Sequence, residues 1–180
     1  MEVCPVVPGG AAFGAAAHAL RTRNADAAVV IYGPFDAALF AQVARKHGFR
    51  GELLSPAWAM TNELIRVGGK AVDGMLFGHF VIMNPLPASL EPIARMYRKR
   101  YGAEPSYVAF YGYDVVLMLN QALSAEDRPH RLDGDSMKQV ILRHAHYLSP
   151  LGDYTLDSYG DSLRPAHLSR VHSGVFELIR

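Results

Sequence analysis

Residues 25–78 read ADAAVVIYGPFDAALFAQVARKHGFRGELLSPAWAMTNELIRVGGKAVDGMLFG, and this stretch decides the fold. Its pattern predicts a strand, a helix, a strand, a helix and a strand in succession. The continuous apolar run 28–32 is typical of a strand that is buried on both faces of a parallel sheet. Gly33 ends that strand, and Asp36 can cap a helix over 37–47. Right-handed crossovers would make the three strands parallel.

The loops that follow the first and second strands are the places where a ligand is expected. Ligands of open α/β sheets bind outside the carboxyl ends of the strands. Residues 33–36 and 55–61 form these loops, and they contain the aromatic side chains Phe35 and Trp58. Trp58 would offer a ligand an apolar face and a polar N–H group.

The rest of the chain continues the helix-and-strand pattern and then departs from it. An alanine-rich helix over 11–23 precedes the first strand, and the character of the sequence changes from Val81 onwards. Two helices without a strand between them suggest that the chain leaves the sheet there. The further elements that the pattern predicts are helices at 90–101, 106–123 and 136–144 and strands at 154–156, 167–172 and 175–179.

Composition and charge exclude several classes of protein. The chain has 180 residues, half of them hydrophobic, which is enough for a real core. A formal charge of +1 gives no field that favours nucleic acid as a partner. The single cysteine, Cys4, excludes an internal disulfide. Residues 1–20 do not form a convincing signal peptide, and no run of 18 apolar residues predicts direct membrane insertion.

Motifs of catalysis, metal binding and cofactor binding are not found in convincing form. No glycine-rich nucleotide motif follows a strand, and no nucleophile elbow is present. The side chains of His144 and His146 are expected to point apart at the end of a predicted helix. No cysteine or carboxylate lies near them at the spacing usual for metal ligands. Asp157 and Asp161 flank a turn, where aspartate stabilises the backbone locally. We therefore expect no enzyme, no metal and no cofactor.

Tyr107, Phe110 and Tyr111 lie on one face of the helix predicted over 106–123, by their i, i+3, i+4 spacing. This spacing is compatible with packing in a core and with contact to a ligand. The sequence leaves both alternatives open for each residue.

The order of several segments resembles a known family. YGAEPS followed by a helix with Tyr113 and Asp114, and then GDYTLDSYGD and a closing β-hairpin, is similar to the carboxyl-terminal part of type I periplasmic solute-binding proteins, the branched-chain amino acid (leucine/isoleucine/valine) binding family. The resemblance covers nearly the whole chain. It implies an α/β fold, with a three-layer α/β/α lobe around a parallel sheet and an incomplete second lobe.

The resemblance also implies a division of the chain. Residues 1–80 would form part of one α/β lobe, 81–152 would cross into the other lobe and supply helices there, and 153–180 would return and end in a hairpin. The sheet of the other lobe would lie upstream of Met1, so we expect this chain to be a fragment. With half of the cleft missing, we expect the isolated chain to bind ligand weakly or not at all.

Site residues follow from the resemblance only where positions match. Phe35 stands where amino acid binders place an aromatic, and Ala57 stands where they place a carboxylate for the ligand's ammonium group. A buried ammonium without a counter-charge is costly, so an ordinary α-amino acid held in the usual way is not expected. An apolar or aromatic ligand, such as a carboxylate or an amide, fits better. The expected ligand-binding residues are Phe35, Ala57, Trp58, Tyr107, Phe110 and Tyr111.

The function implied by the resemblance is that of a periplasmic solute-binding component, which passes a small-molecule ligand to the membrane permease of an ATP-driven (ABC) importer. Two other functions stay open on the sequence. One is a ligand-sensing regulatory domain with the same fold. The other is a small α/β enzyme, which would use residues such as His144, His146 or Asp157.

Overall fold

The computed structural model describes residues 9–125 and 133–179, which divide into two compact units. Unit 1 comprises Met1–His79 and Ala166–Arg180, and unit 2 comprises Phe80–Pro165. The sequence placed the return of the chain at residue 153. In the structure, residues 153–165 belong to unit 2, because the strand at Tyr154–Leu156 pairs with neighbouring strands of that unit. Cys4 lies outside the described residues.

In its described residues, unit 1 consists of three α-helices on a five-stranded sheet. Its elements are α1 (Gly10–Thr22), β1 (Ala27–Val29), α2 (Pro34–Lys46), β2 (Glu52–Pro56), α3 (Asn62–Gly68), β3 (Leu76–His79), β7 (His167–His172) and β8 (Val175–Ile179), with 3₁₀ turns at Ala57–Ala59 and Gly69–Val72. The sheet has the strand order β1-β2-β3-β7-β8. Strands β1, β2 and β3 are parallel, as the sequence predicted, and β7 and β8 are antiparallel to their neighbours.

The core of unit 1 lies on one face of this sheet. Phe13 of α1 and Phe40 of α2 pack there with strand residues such as Leu53 and Phe77. Side chains of strands alternate between the two faces, and the described residues leave several of those on the opposite face exposed. Val29 is 64% exposed, and Ile31 just beyond β1 is 67% exposed.

The prediction that the run 28–32 is buried on both faces is therefore wrong. Val30 is buried and Ala28 and Tyr32 are half-buried, whereas Val29 and Ile31 are exposed. Two facts of the structure explain this: β1 is the edge strand of the sheet, and the described helices pack on one face only. An apolar run indicates that a strand can be buried on both faces of a sheet. It does not indicate which segments pack on each face.

Helix α2 begins three residues earlier than predicted. Its first residue is Pro34, and Gly33 occupies the capping position. Proline is well suited to the first turn of a helix, because its φ is already helical and its missing N–H would have no partner there. Asp36 is thus not the cap but a residue of the first turn. There its carboxylate interacts favourably with the helix dipole.

In its described residues, unit 2 contains three helices and a small antiparallel sheet. Its elements are α4 (Glu91–Tyr101), α5 (Tyr107–Ser124), α6 (Gly134–His144), β4 (His146–Tyr147), β5 (Tyr154–Leu156) and β6 (Ser162–Leu163), and the order of the sheet is β4-β5-β6. Phe110 lies in one apolar cluster with Val81 and Leu90, and Tyr147 and Tyr154 lie in another. The two-residue strands β4 and β6 were not predicted, since two residues show no alternation.

Candidate functional site

Two aromatic side chains are presented at the carboxyl ends of β1 and β2. Phe35 lies in the first turn of α2 and is 50% exposed, and Trp58 lies in the 3₁₀ turn after β2 and is 51% exposed. Since β1 and β2 are adjacent and parallel, the loops that follow them emerge at the same edge of the sheet. The fold thus brings both predicted loops to one surface of unit 1.

Two hydrogen bonds join residues 55–61 to the segment just before the loop 33–36. The indole Nε1 of Trp58 donates to the carbonyl oxygen of Tyr32 over 3.0 Å. Deeper in the sheet, the hydroxyl of the buried Ser55 donates to the carbonyl oxygen of Val30 over 2.8 Å. Trp58 therefore has a defined position although half of its side chain is exposed. A fixed aromatic side chain loses little conformational entropy when a ligand packs on it.

At position 57, this surface has no carboxylate that could pair with the ammonium group of a ligand. Ala57 is half-buried at the start of the 3₁₀ turn and carries no charge. Within residues 33–36 and 55–61 the one carboxylate is that of Asp36, next to Phe35. The sequence interpretation assigned Asp36 to capping and did not consider it as a candidate site residue. The signal was available, because no other acidic residue occurs in either loop.

The aromatic residues of α5 lie in different environments of unit 2. Tyr107 and Tyr111 are half-buried, and their rings meet edge to face with centroids 6.0 Å apart. Burial raises the pKa of both phenols. Phe110 is 1% exposed and packs in the core against Val81 and Leu90. The structure thus brings Tyr107 and Tyr111 together at a partly exposed position and places Phe110 beneath the surface.

A buried ion pair next to Tyr111 was missed by the sequence analysis. Asp114 of α5 is 4% exposed, and its Oδ2 lies 2.5 Å from Nη2 of Arg164. The hydroxyl of Ser149 donates to the other carboxylate oxygen. The guanidinium carbon of Arg164 lies 3.6 Å from the ring centroid of Tyr154. The one signal in the sequence was an aspartate within an otherwise apolar helix, which requires a partner.

The other polar candidates do not assemble into a reactive site. The carboxylate of Asp157 accepts the backbone N–H groups of Tyr159 and Asp161, both over 2.9 Å, which confirms its role in a turn. The ring of His144 packs on Tyr147, at 4.8 Å between centroids. In residues 9–125 and 133–179, no group of three or more histidine, cysteine or acidic side chains could hold a metal ion. None of the helices in this part of the chain is long and apolar enough to span a membrane.

Comparison with known proteins identifies the family. Residues 3–173 match the family described as periplasmic binding protein. A curated relative, Leu/Ile/Val-binding protein homolog 1 of Brucella suis, is 27% identical over 152 residues. That alignment covers 82% of this chain but 39% of the relative.

Solved structures agree with this assignment. A leucine-binding protein of Thermotoga maritima superimposes with a TM-score of 0.78 at 25% identity, over 93% of this chain and 47% of that one. A solute-binding protein of an ABC transporter from R. palustris, in complex with benzoate, shares the fold with a TM-score of 0.71 at 17% identity, over 93% of this chain and 46% of that one.

The chain thus spans less than half the length of these relatives. Its mixed α/β fold, with a sheet that contains parallel strands, is that of a periplasmic binding protein type I lobe. Family and fold are those of solute-binding proteins. The chain therefore belongs to the periplasmic binding protein family, as its resemblance to the type I, branched-chain amino acid binding members predicted.

Proposed function

We propose that this chain is part of the extracytoplasmic solute-binding component of an ABC importer. It would act without catalysis, bind a small ligand and deliver it to a membrane permease. Membership of the periplasmic binding protein family supports the role in solute binding. The names of the similar proteins, one of which is a solute-binding protein of an ABC transporter, support the proposed importer. The chain spans less than half of those relatives, so the remainder of the ligand contacts would come from polypeptide outside it.

The observation that carries this proposal is the pair of half-exposed aromatics at the carboxyl edge of the parallel strands. Phe35 and Trp58 offer flat apolar surfaces, and the bond from Trp58 to Tyr32 fixes one of them. Binding sites for small molecules are mostly apolar surfaces with a few fixed polar groups. We propose Phe35, Ala57 and Trp58 as ligand contacts of unit 1.

Tyr107 and Tyr111 are proposed as ligand contacts of unit 2. Both are half-buried tyrosines that pack edge to face, so they can present a ring and a hydroxyl from a defined position. Phe110 would contribute from beneath, because it is buried and supports the turn of α5 that carries them.

The charge at the unit 1 surface favours a particular class of ligand. Ala57 offers no counter-charge to an ammonium group, and a desolvated ammonium without one is costly. An aromatic carboxylate or an aromatic amide avoids this cost. An amino-acid-like ligand would need another partner, and Asp36 beside Phe35 is the acidic residue of these loops.

Isothermal titration tests the proposal. The full-length gene product that contains this chain is titrated with leucine, benzoate and phenylacetamide, with and without the changes Trp58→Ala and Phe35→Ala, because the isolated chain is expected to bind weakly or not at all. We expect at least one aromatic probe to bind more tightly than leucine and each change to weaken that binding roughly tenfold or more, as the loss of a buried aromatic contact implies.

The matched control is Val116→Ala, which removes an exposed apolar side chain of unit 2 outside the proposed contacts. It should leave the affinity unchanged. If none of the three probes bound, or if Trp58→Ala and Val116→Ala had equal effects, the proposed contacts would be wrong.

A further inference from the structure

The sheet edge that presents the proposed contacts of unit 1 also carries two histidines. Strands β1, β2 and β3 are parallel and end at this edge, where Phe35 and Trp58 follow the first two of them. The third strand ends in His79, and the antiparallel strand β7 begins directly opposite with His167. The function proposed above assigns no role to either imidazole.

The register of the sheet places His79 beside the uncharged position 57. Pro56, the last residue of β2, is paired with Gly78 of β3. Ala57 and His79 are the next residues of the two segments, and the 3₁₀ turn that begins at Ala57 packs next to β3. Neighbouring strands are about 4.8 Å apart. A histidine therefore lies next to the position where the resemblance to amino acid binders places a carboxylate.

Both histidines point to the helix-covered face of the sheet. Phe77 of β3 and Ser169 of β7 are paired, and the side chain of Phe77 lies in the core of unit 1. Residues two apart in a strand point to the same face. His79 is two residues beyond Phe77, and His167 is two residues before Ser169, so the two imidazoles share the face of the core.

His79 has a fixed position on this face. Its side chain is buried, and its Nε2 atom is hydrogen-bonded to the hydroxyl of the buried Ser169 over 2.8 Å. The ring centroid of His167 lies 5.9 Å from that of His79. His79 and Ser169 thus position the ring of His167.

His167 is the more accessible member of the pair, since it is half-buried. A side chain that already packs against a fixed neighbour loses little conformational entropy when a ligand binds. Position 57 and His167 are separated by two strand spacings, about 10 Å. The side chains of Trp58 and His167, together with an aromatic carboxylate between them, can span that distance.

The chemistry of an imidazole favours an anionic group as its partner. A neutral imidazole donates one hydrogen bond, and a nearby negative charge favours the protonated ring, which donates from both nitrogen atoms. A carboxylate accepts such a charge-assisted hydrogen bond. Because residue 57 is alanine, no acidic side chain at that position competes for the imidazole.

We propose that His167, positioned by His79 and Ser169, binds the carboxylate group of the ligand and makes unit 1 selective for an aromatic carboxylate over the corresponding amide. This selectivity rests on the proposed function and deepens it, because that function leaves carboxylate and amide as alternatives. The ring of the ligand packs on the exposed part of Trp58, at the same edge of the sheet.

Isothermal titration of the full-length gene product with benzoate and benzamide tests this selectivity. The two probes share the same ring, but only benzoate is charged. We expect the parent protein to bind benzoate more tightly. His167→Phe should weaken benzoate binding about tenfold or more, which is the loss expected for a hydrogen bond to a charged group. It should change the affinity for benzamide much less.

Two further variants separate the role of His167 from general effects on the fold. His167→Gln is a smaller change that keeps a hydrogen-bond donor without the charge, and it should also reduce the ratio of the benzoate and benzamide affinities. Ser169→Ala loosens His79 and should reduce the same ratio by a smaller factor. A merely structural effect would weaken the binding of both probes equally.

His172→Phe is the matched control, because His172 is an exposed histidine at the other end of β7. It should leave both affinities unchanged. An affinity ratio in His167→Phe and His167→Gln equal to that of the parent would overturn the selectivity and leave the proposed function intact. Binding of leucine without binding of benzoate would have the same meaning. If neither benzoate nor benzamide nor leucine bound to the parent, the proposed contacts of unit 1 would be wrong as well.

Discussion

Ala57 is the residue at which the chemistry of the proposed site can be changed most simply. It is half-buried, uncharged and next to the half-exposed Trp58. The sequence resemblance places it where amino acid binders have a carboxylate. Its substitution therefore tests both the position of the site and the reason for its proposed ligand preference.

We predict that Ala57→Glu increases the affinity for leucine by about tenfold to a hundredfold, since a charge-assisted hydrogen bond to the ammonium group contributes roughly 1.5–3 kcal/mol. Isothermal titration measures the change. Ala57→Gln has nearly the same volume without the charge and should give a much smaller gain. Equal affinities in the two variants would show that Ala57 does not face the ammonium group of a ligand.

Tyr147 provides a prediction for alkaline pH. Burial raises the pKa of its phenol in the folded protein, and Tyr154 raises it further. An unfolded tyrosine has a pKa of about 10, so above that pH the unfolded chain releases a proton that the folded chain retains. The contribution of Tyr147 to stability is complete below about pH 10 and is lost as the pH rises towards the folded pKa.

Tyr147→Phe should therefore flatten the decline in stability above about pH 10, although it also removes the hydrogen bond to the carbonyl oxygen of Ile141. Denaturant unfolding at a series of pH values measures this slope. Tyr159→Phe removes a phenol that is largely exposed and serves as the control. A slope that is unchanged in Tyr147→Phe would contradict the prediction.

At the residue scale, the positions of exposed aromatic side chains could be predicted from the sequence more accurately than the contacts of buried side chains. Phe35 and Trp58 follow strands in a βαβ pattern, so their place at the sheet edge could be predicted. The spacing of Tyr107, Phe110 and Tyr111 defines a helix face but not how deeply each residue lies in it. Asp114 and Arg164 are 50 residues apart, and no local pattern connects them.

The turn that leads into β2 contains Gly51, where the backbone packs closely against neighbouring residues. A Cβ atom on Gly51 would lie 2.4 Å from the carbonyl oxygen of Asp26 and 2.5 Å from the ring of Phe49. We predict that Gly51→Ala destabilises the protein by about 1–3 kcal/mol, as overpacking does. Denaturant unfolding measures the loss.

The control is Gly112→Ala in the interior of α5, where a Cβ atom would meet no other atom within 4 Å. Here alanine should stabilise the helix by roughly 0.5–1 kcal/mol, because glycine loses more backbone entropy on folding. If both changes had the same sign, the close approach at Gly51 would not be the cause.

Helices and long strands were predicted to within a few residues because hydrophobic periodicity reports them directly. The deviations have local causes. Pro34 starts α2 early, since its fixed φ suits the first turn, and this displaces Asp36 from the capping position. Strands β4 and β6 have two residues each, and their pairing with β5 depends on contacts distant in sequence.

At the scale of the whole molecule, one face of the five-stranded sheet bears on behaviour in solution, because the described residues leave apolar side chains on it exposed. Val29 and Ile31 are more than 60% exposed, and Leu168 of β7 is on the same face. A parallel sheet is ordinarily covered on both faces, and contiguous exposed apolar surface favours association. The sequence could not predict the uncovered face, because β-propensity and hydropathy do not report which neighbouring segments are present.

We predict that the chain self-associates with increasing concentration and that Val29→Thr with Ile31→Thr reduces this association. Threonine keeps the β-branched shape that suits a strand while adding a polar group. Sedimentation velocity measures the effect. Val116→Thr, at an exposed site of unit 2, is the control and should associate as the parent does. Association that is unaffected by the double change would exclude this face as its cause.

The hydrogen bond from Trp58 to Tyr32 has a practical consequence, because Trp58 is the single tryptophan of the sequence. Indole fluorescence from this protein originates entirely in the loop after β2. A ligand that covers the half-exposed ring would shift its emission to shorter wavelength, and one that broke the bond to Tyr32 would change the environment of Nε1. The protein thus carries its own optical reporter at the surface where binding is proposed.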